Sequence, residues 1–188
     1  FVQDKVHDEF VEKLSKRMSA LKVGHGANTE TTLAPLVNRK AVSSVGELVE
    51  DAVQKGATQL VGGSVTQGPG CYFPATVLGN VSPEARIVKE EVFGPVVAVV
   101  KVKDEFEALN ISNKSEYGLA GYVYTKNLSR GLKVCEQLQV GMIGLNRGLV
   151  SDPSAPFGGV KQSGLGRELG PDAVDAFTET KNIFFDTN

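Results

Sequence analysis

Apolar residues recur at helical spacing in two segments near the start of the chain. Between residues 4 and 21, the positions that share one face are Val6, Phe10, Val11, Leu14, Met18 and Leu21. Between Asn38 and Lys55, they are Val42, Val45, Leu48, Val49, Ala52 and Val53. Repeats of three and four residues are typical of amphipathic helices, so we predict one helix from Asp4 to Leu21 and another from Asn38 to Lys55. Gly24 and Gly56 follow these segments and are predicted to end the helices.

The middle of the chain changes from helical spacing to short runs that resemble strands. Residues 58–61 predict a short strand, and residues 62–70 are rich in turn formers. Residues 72–81 are expected to hold a further strand after Pro74. The run Val96–Val102 is rich in β-branched residues, which favours a buried strand.

Helix and strand patterns alternate after this run. The segments are a helix at Asp104–Lys114, a strand at Gly118–Tyr124, a helix at Leu128–Leu138 and a strand at Gly141–Leu145. Strands that are separated by helices pair in parallel, and each helix crosses over one face of the sheet. The chain is therefore predicted to be an α/β protein with a parallel-type sheet and crossover helices.

A glycine-rich run occupies residues 156–170. It also holds Phe157, Lys161, Arg167 and Glu168, which a flexible tether would lack. Glycine is chosen where the backbone needs positive φ or must approach another group closely. We therefore predict a shaped loop that covers a site.

The C-terminal residues predict a short helix from Pro171 and then a short strand at Asn182–Asp186. This strand holds Ile183, Phe184 and Phe185. An exposed apolar edge is an aggregation hazard unless another strand pairs with it. A partner subunit is the natural candidate, so we expect a homo-oligomer.

Composition narrows the class of protein. The 188 residues are 41% hydrophobic and 22% charged, as in ordinary soluble globular proteins. The net charge of −2 gives no support for a nucleic-acid partner, and no apolar run approaches the ~20 residues that span a bilayer. Cys71 and Cys135 form no disulfide framework, which favours a reducing compartment such as the cytoplasm. The opening Phe1-Val2-Gln3 has no signal pattern and is interpreted as the tail of a strand from a longer protein.

The residue pattern contains no self-contained nucleophile and no metal site. His7 and His25 are the only histidines, neither has a partner at metal-ligand spacing, and we predict both to be ordinary surface residues. Cys135 is expected in the core, and Cys71 lies in a turn without an adjacent activating base. We therefore predict no catalytic and no metal-ligating residue in this chain.

Two segments invite comparison with nucleotide-binding motifs. Gly164-Leu165-Gly166 does not complete the GxGxxG fingerprint, because Leu169 occupies the position of the last glycine. Glu90, Glu91 and Phe93 lie directly before the predicted buried strand. A carboxylate there can accept hydrogen bonds from a ribose diol, and the aromatic ring can pack on a planar ring. The alternative is a solvated glutamate pair and a core phenylalanine, which the residues alone favour.

Two motifs together resemble signatures of the NAD(P)-dependent aldehyde dehydrogenase superfamily. They are Glu90–Pro95 and Pro156–Glu168, and the spacing between them also fits. The likeness extends to Tyr117–Gly121, to Gly141–Asn146 and to the opening Phe1–Gln3. It thus covers essentially the whole chain, which is similar to the C-terminal part of the family's catalytic domain.

The resemblance implies part of an oxidoreductase that converts an aldehyde to a carboxylic acid with NAD or NADP. In that family a cysteine thiolate attacks the aldehyde, hydride passes to the nicotinamide, and a glutamate base assists cleavage of the thioester. The cysteine, the glutamate and most of the dinucleotide-binding domain precede the position matching Phe1. Residues 1–176 then belong to the catalytic domain and residues 177–188 form an oligomerisation strand. The chain alone is expected to be inactive.

The resemblance also implies roles for individual residues. Glu91 matches the carboxylate that bonds the nicotinamide ribose, and Phe93 matches the aromatic residue beside the nicotinamide. Phe157 matches a residue that lines the aldehyde tunnel, and Glu168 matches a buried carboxylate near the general base. Asn182–Asp186 matches a strand that extends a neighbouring subunit's sheet.

Within the family, Gly148–Ser151 and Val160–Glu168 look most like succinate-semialdehyde dehydrogenases. There a serine matching Ser151 helps to bind the distal carboxylate of the substrate, to which a hydroxyl can donate one hydrogen bond. The chain departs from this pattern at Arg147 and at residues 152–154. A dehydrogenase for another semialdehyde therefore stays open.

Two further hypotheses belong to other classes of protein. The first is a non-catalytic binding or assembly module with the same fold, which a cysteine encoded just upstream of Phe1 would argue against. The second is an independent thiol enzyme that uses Cys71, which predicts that Cys71→Ala abolishes an activity of this chain.

Overall fold

A computed structural model describes residues 1–64 and 68–187. The chain divides into two compact units, Phe1–Ala108 and Leu109–Asn188. The first unit contains β1 (Val2–Gln3), α1 (Asp4–Ser19), α2 (Arg39–Gln54), β2 (Thr58–Val61), β3 (Thr76–Gly79), α3 (Arg86–Lys89), β4 (Val96–Ala98) and β5 (Lys101–Val102). Helix α4 (Glu105–Asn113) spans the division. The second unit continues with β6 (Tyr117–Gly118), β7 (Ala120–Val123), α5 (Leu128–Gln137), β8 (Met142–Leu145), β9 (Val160–Lys161) and a 3₁₀ helix (Pro171–Phe177).

The sheets of the first unit combine parallel and antiparallel pairs. Strand β3 lies between β2, which is antiparallel to it, and β4, which is parallel to it. Strand β1 pairs in parallel with β5. The predicted single strand at 96–102 is therefore two strands, because its ends pair with different partners while Val99 and Val100 between them are buried. Residues 65–67 of the predicted turn-rich segment lie outside the described residues.

Helix α2 provides much of the core of the first unit. The Asn38 side chain accepts a 2.8 Å hydrogen bond from the Ala41 amide, as a helix N-cap does. The buried side chains of α2 are Val42, Val45, Leu48, Val49 and Ala52. Val53 was predicted to face inward but is 41% exposed. That prediction was wrong because periodicity identifies the apolar face and not how far neighbouring elements cover it.

Helix α1 buries only part of the predicted apolar face. Val6, Phe10 and Leu21 are 51%, 45% and 36% exposed. His7 was predicted to be a surface residue, yet it is only 3% exposed. The packed side of α1 is shared by four residues at helical spacing, of which the last three are half-buried members of the predicted apolar set: His7, Val11, Leu14 and Met18. The His7 Nδ1 lies 2.7 Å from Asp8 Oδ1, and Nε2 has no partner in the described part of the chain.

The second unit confirms the predicted parallel crossover. Strands β7 and β8 pair in parallel, with Ala120 opposite Met142, and helix α5 connects them. Asn127 caps α5 by accepting a 3.0 Å hydrogen bond from the Arg130 amide. Strands β6 and β9 add an antiparallel pair, in which Gly118 faces Val160.

The C-terminal residues after Phe177 lie outside helix and strand as far as residue 187. Ile183, Phe184 and Phe185 are 72%, 89% and 80% exposed. A strand that pairs with another subunit has no hydrogen-bond partner within a single chain, so the oligomerisation strand stays a prediction. Among the described residues, no helix is both long enough and apolar enough to cross a membrane.

Candidate functional site

Two exposed side chains of the predicted site stand on a short arch, which we define as residues 91–93. Helix α3 ends at Lys89, and β4 begins at Val96. Glu91 is exposed, and Phe93 is 73% exposed. The alternative of a core phenylalanine is therefore wrong in this chain. The arch presents a carboxylate and an aromatic ring outward, three positions before the half-buried strand β4 begins.

Backbone contacts hold the C-terminal end of the arch. A Cβ atom at Gly94 would lie 2.7 Å from Val45 Cγ2, so the arch returns to α2 with no room for a side chain. The Pro95 carbonyl accepts a 2.8 Å hydrogen bond from the Thr76 amide on β3. The exit of the arch is thereby attached to the buried face of α2 and to the buried strand β3.

A network of charged side chains surrounds the N-terminal end of the arch. The Arg86 guanidinium donates to both carboxylate oxygens of Glu90, over 2.6 and 3.0 Å. Hydrogen bonding from Arg86 lowers the pKa of the Glu90 carboxyl, because it stabilises the charged form. Asp51 on α2 accepts from the Arg86 amide at 2.8 Å and lies 2.9 Å from Lys55 Nζ. These contacts, first that of Lys55 and then that of the Arg86 amide, lower the pKa of Asp51.

The glycine-rich run forms a closed loop in the second unit. At its base the Phe157 amide donates to the Glu168 carbonyl at 2.6 Å, and the Glu168 amide donates to the Phe157 carbonyl at 2.7 Å. Between these ends, Val160–Lys161 forms β9. The prediction of a shaped loop is confirmed, since an unstructured tether would lack such pairing.

Two side chains, those of Lys161 and Ser163, fasten this loop to its own unit, and that of Arg167 forms hydrogen bonds within the loop. Lys161 Nζ donates to the carbonyls of Asn113 and Ser115, at 2.8 and 2.9 Å. The Gly118 amide donates to the Ser163 hydroxyl oxygen at 3.0 Å, and the Arg167 guanidinium donates to carbonyls within the loop. Lys161 therefore places a cation at the C-terminal end of α4, where carbonyl groups lack helical partners.

Two glycines allow close backbone approaches, one between the loop and the residue before β8 and one within the loop. A Cβ atom at Gly141 would lie 1.9 Å from the carbonyl oxygen of Gly158. A Cβ atom at Gly158 would in turn lie 2.4 Å from the carbonyl oxygen of Gly166. Both separations are far below van der Waals contact, so glycine is required at each position for steric reasons.

The remaining predicted residues lie on this loop and on the segment before it. Phe157 is half-buried, whereas Ser151 is exposed. Glu168 was implied to be a buried carboxylate, but it is exposed in this chain. Its position at the base of the loop follows from its backbone pairing with Phe157.

Asp152 turns its carboxylate onto its own loop. One oxygen accepts from the Ser154 hydroxyl at 2.6 Å and from the Ser154 amide at 2.9 Å. These bonds lower the pKa of Asp152, the hydroxyl contact most strongly, and the charge of Arg147 adds a smaller effect. The negative charge of Asp152, the residue next to Ser151, is thus partly compensated by groups of the same loop.

The four predicted site residues fall into two pairs. Glu91 and Phe93 share the arch in the first unit, and Ser151 and Phe157 belong to neighbouring segments of the second. Sequence reasoning missed Arg86, although its spacing of four from Glu90 on a short helix was a usable signal. It also missed Lys161, whose carbonyl partners lie 46 and 48 residues away.

Nothing in the described residues contradicts the prediction of no metal site. No group of three or more histidine, cysteine, aspartate or glutamate residues there is arranged to hold a metal ion. Cys71 and Cys135 are free thiols and both are partly buried. Cys135 was predicted to lie in the core, but it is only partly buried.

Comparison with known proteins identifies the class to which this fold and these motifs belong. The model of the aldehyde dehydrogenase family matches residues 1–183. The chain belongs to this family.

Individual relatives carry semialdehyde dehydrogenase names. The chain is 45% identical to a glutarate-semialdehyde dehydrogenase of Pseudomonas putida over 183 residues, which are 97% of this chain and 38% of that protein. It is 46% identical to the mitochondrial succinate-semialdehyde dehydrogenase of Mus musculus over 98% of this chain and 35% of the relative. The structure of an aldehyde dehydrogenase from Bacillus cereus in complex with NAD+ superposes with a TM-score of 0.92 at 38% identity, over 100% of this chain and 38% of that one. The chain thus spans little more than a third of the length of these relatives.

Proposed function

We propose that this chain is the C-terminal part of a longer NAD(P)-dependent aldehyde dehydrogenase that oxidises a semialdehyde to a carboxylic acid, with succinate semialdehyde as the first candidate. The observation that carries the proposal is the family match over residues 1–183, which includes both signature motifs. The relatives are about two and a half to three times as long as this chain, which supports a separate dinucleotide-binding domain and a nucleophile outside it.

The arch supplies the cofactor contacts in this proposal. Glu91 accepts hydrogen bonds from the hydroxyls of the nicotinamide ribose, and Phe93 packs beside the nicotinamide, which accepts hydride when bound. The exposure of both side chains supports these roles, since a ligand can reach each of them. The related Bacillus cereus enzyme binds NAD+, and the choice between NAD and NADP is an outcome of the assay below.

The second unit supplies the substrate contacts. Phe157 lines the aldehyde tunnel on a loop that its pairing with Glu168 holds in shape. Ser151 donates a hydrogen bond to the distal carboxylate of the substrate. The names of the Pseudomonas and Mus relatives support a substrate that carries both an aldehyde and a carboxylate.

The assembly and location complete the proposal. Residues 177–188 pair with a neighbouring subunit and make the enzyme a homo-oligomer. Three exposed apolar side chains at 183–185 support this role, because water solvates such a cluster poorly. We place the enzyme in the cytoplasm on the basis of its two free cysteines.

The test uses the full-length protein. Reduction of NAD and of NADP is followed with succinate semialdehyde, glutarate semialdehyde and an uncharged aldehyde of similar length. We expect oxidation of the semialdehydes, and we expect Glu91→Gln to raise the KM for the dinucleotide. Glu50→Gln, which alters an exposed carboxylate on α2, is the matched control and leaves the KM unchanged. A full-length protein that oxidises none of the three aldehydes would instead favour the assembly module.

A further inference from the structure

We propose that Arg86, Glu90 and Asp51 form a clasp that positions the arch, so that Glu90 serves a structural role and leaves Glu91 alone to bind the ribose. This inference rests on the proposed function, because it concerns how the same cofactor site is held. It also separates the roles of two adjacent glutamates, which look equivalent in the sequence.

The bidentate contact between Arg86 and Glu90 is the centre of the clasp. Two parallel N–H···O bonds fix the relative orientation of a guanidinium and a carboxylate, which a single ion pair does not. The Glu90 amide also donates to the Arg86 carbonyl at 2.8 Å. Glu90 is therefore held by both its side chain and its backbone at the entry of the arch.

Asp51 holds the N-terminal end of α3, the end opposite to Glu90. Helix α3 has only four residues and is too short to be stable by itself. The Asp51 carboxylate accepts from the Arg86 amide, and Lys55 Nζ donates at 3.2 Å to the Glu84 carbonyl just before α3. Because Val45, Asp51 and Lys55 all belong to α2 or its C-cap, the same helix supports both ends of the arch.

The two glutamates consequently differ in what they can bind. The Glu90 carboxylate is occupied by Arg86. The Glu91 carboxylate makes no hydrogen bond or ion pair to any residue that the structure describes, and it is exposed. Its oxygen atoms can therefore accept hydrogen bonds from a diol. The Arg86 guanidinium does not compete for them, because Glu90 already binds it.

The experiment measures binding of reduced dinucleotide and of AMP to the full-length protein, by fluorescence and by calorimetry. AMP lacks the nicotinamide and its ribose, so it reports on the integrity of the rest of the site. We expect Arg86→Gln and Glu90→Gln each to weaken dinucleotide binding by about threefold to tenfold, which corresponds to about 0.7 to 1.4 kcal/mol. AMP binding should remain at the wild-type value, and the double variant should be no weaker than either single variant.

Two further variants make the result unambiguous. Lys89→Gln, at the last residue of α3, removes the 2.6 Å ion pair with Glu84, which precedes the helix, and should leave dinucleotide binding unchanged. Arg86→Lys keeps the positive charge but cannot form the bidentate contact, so we expect it to weaken dinucleotide binding less than Arg86→Gln does. If Arg86→Gln does not fold, Arg86→Lys takes its place in the experiment. Wild-type binding in both Arg86 variants, or an equal loss of AMP binding, would overturn the clasp. If Glu91→Gln binds the dinucleotide normally, the proposed function of the arch fails instead.

Discussion

Phe157 and Glu168 face each other at the base of the glycine-rich loop, and their backbones exchange hydrogen bonds of 2.6 and 2.7 Å. These two hydrogen bonds close the backbone of residues 157–168 into a loop, with the Phe157 and Glu168 side chains at its base. The direction of the Phe157 side chain therefore depends on the whole loop, including Lys161 at the C-terminal end of α4. Substitutions that loosen the loop should act on the site without changing any residue that contacts the substrate.

Lys161→Met tests the fastening of the loop to α4. The variant removes two hydrogen bonds from a cation to helix-terminal carbonyls, and we expect a loss of about 1 to 2 kcal/mol in the free energy of unfolding. The KM for the aldehyde should rise because Phe157 is less firmly held. Urea unfolding and steady-state kinetics of the full-length protein measure the two effects. Lys133→Met on α5, which alters an exposed lysine, should change neither.

Gly141→Ala tests the close approach of β8 and the loop. A methyl group would meet the Gly158 carbonyl oxygen at 1.9 Å, so the loop must move away. We expect a loss of about 1 to 3 kcal/mol in the free energy of unfolding, the usual cost of overpacking. The matched control is Gly26→Ala, where an added Cβ meets nothing within 4 Å. Equal thermal midpoints for the two variants would contradict the steric argument.

Ser151→Ala tests recognition of the distal carboxylate. A hydrogen bond to a charged group contributes about 1.5 to 3 kcal/mol, so kcat/KM for succinate semialdehyde should fall by roughly 10- to 100-fold. For an uncharged aldehyde of similar length, kcat/KM should change little. Ser129→Ala, at an exposed position on α5, serves as the control. The assignment would not survive an equal loss on both substrates.

Asp51→Asn tests the charged network through its dependence on pH. The folded chain holds the pKa of Asp51 below its ordinary value of 3.8, first through Lys55 and then through the Arg86 amide. The carboxylate therefore contributes stability that is present above 3.8 and is lost as the pH falls through the folded pKa. The variant should be less stable than the wild type near neutral pH, and the difference should disappear in strong acid.

Denaturant unfolding at a series of pH values measures this difference. Asp175→Asn, which removes an exposed carboxylate with no side-chain hydrogen bond in the described chain, should show no such pH-dependent difference. A destabilisation by Asp51→Asn that persists unchanged into strong acid would show that the charge of Asp51 is not its cause.

Local pattern predicted most of the regular elements. Asn38 and Asn127 precede apolar repeats and cap α2 and α5, which begin one residue later. The β-branched run at 96–102 predicted strand, but the break at Val99 depends on which strands lie beside each half. His7 shows the same limit, because apolar spacing ranked it with the polar face and packing buried it.

The sequence by itself determined the family, the order of most helices and strands, and the motifs that hold Glu91, Phe93, Ser151 and Phe157. These follow from residue identity and short-range spacing, which the chain carries whether or not it is folded. Only the tertiary structure decided which of two adjacent glutamates is engaged by Arg86 and which glycines touch the loop. The partners of Lys161 lie more than 40 residues away, and such contacts exist only after the sheets and helices have packed.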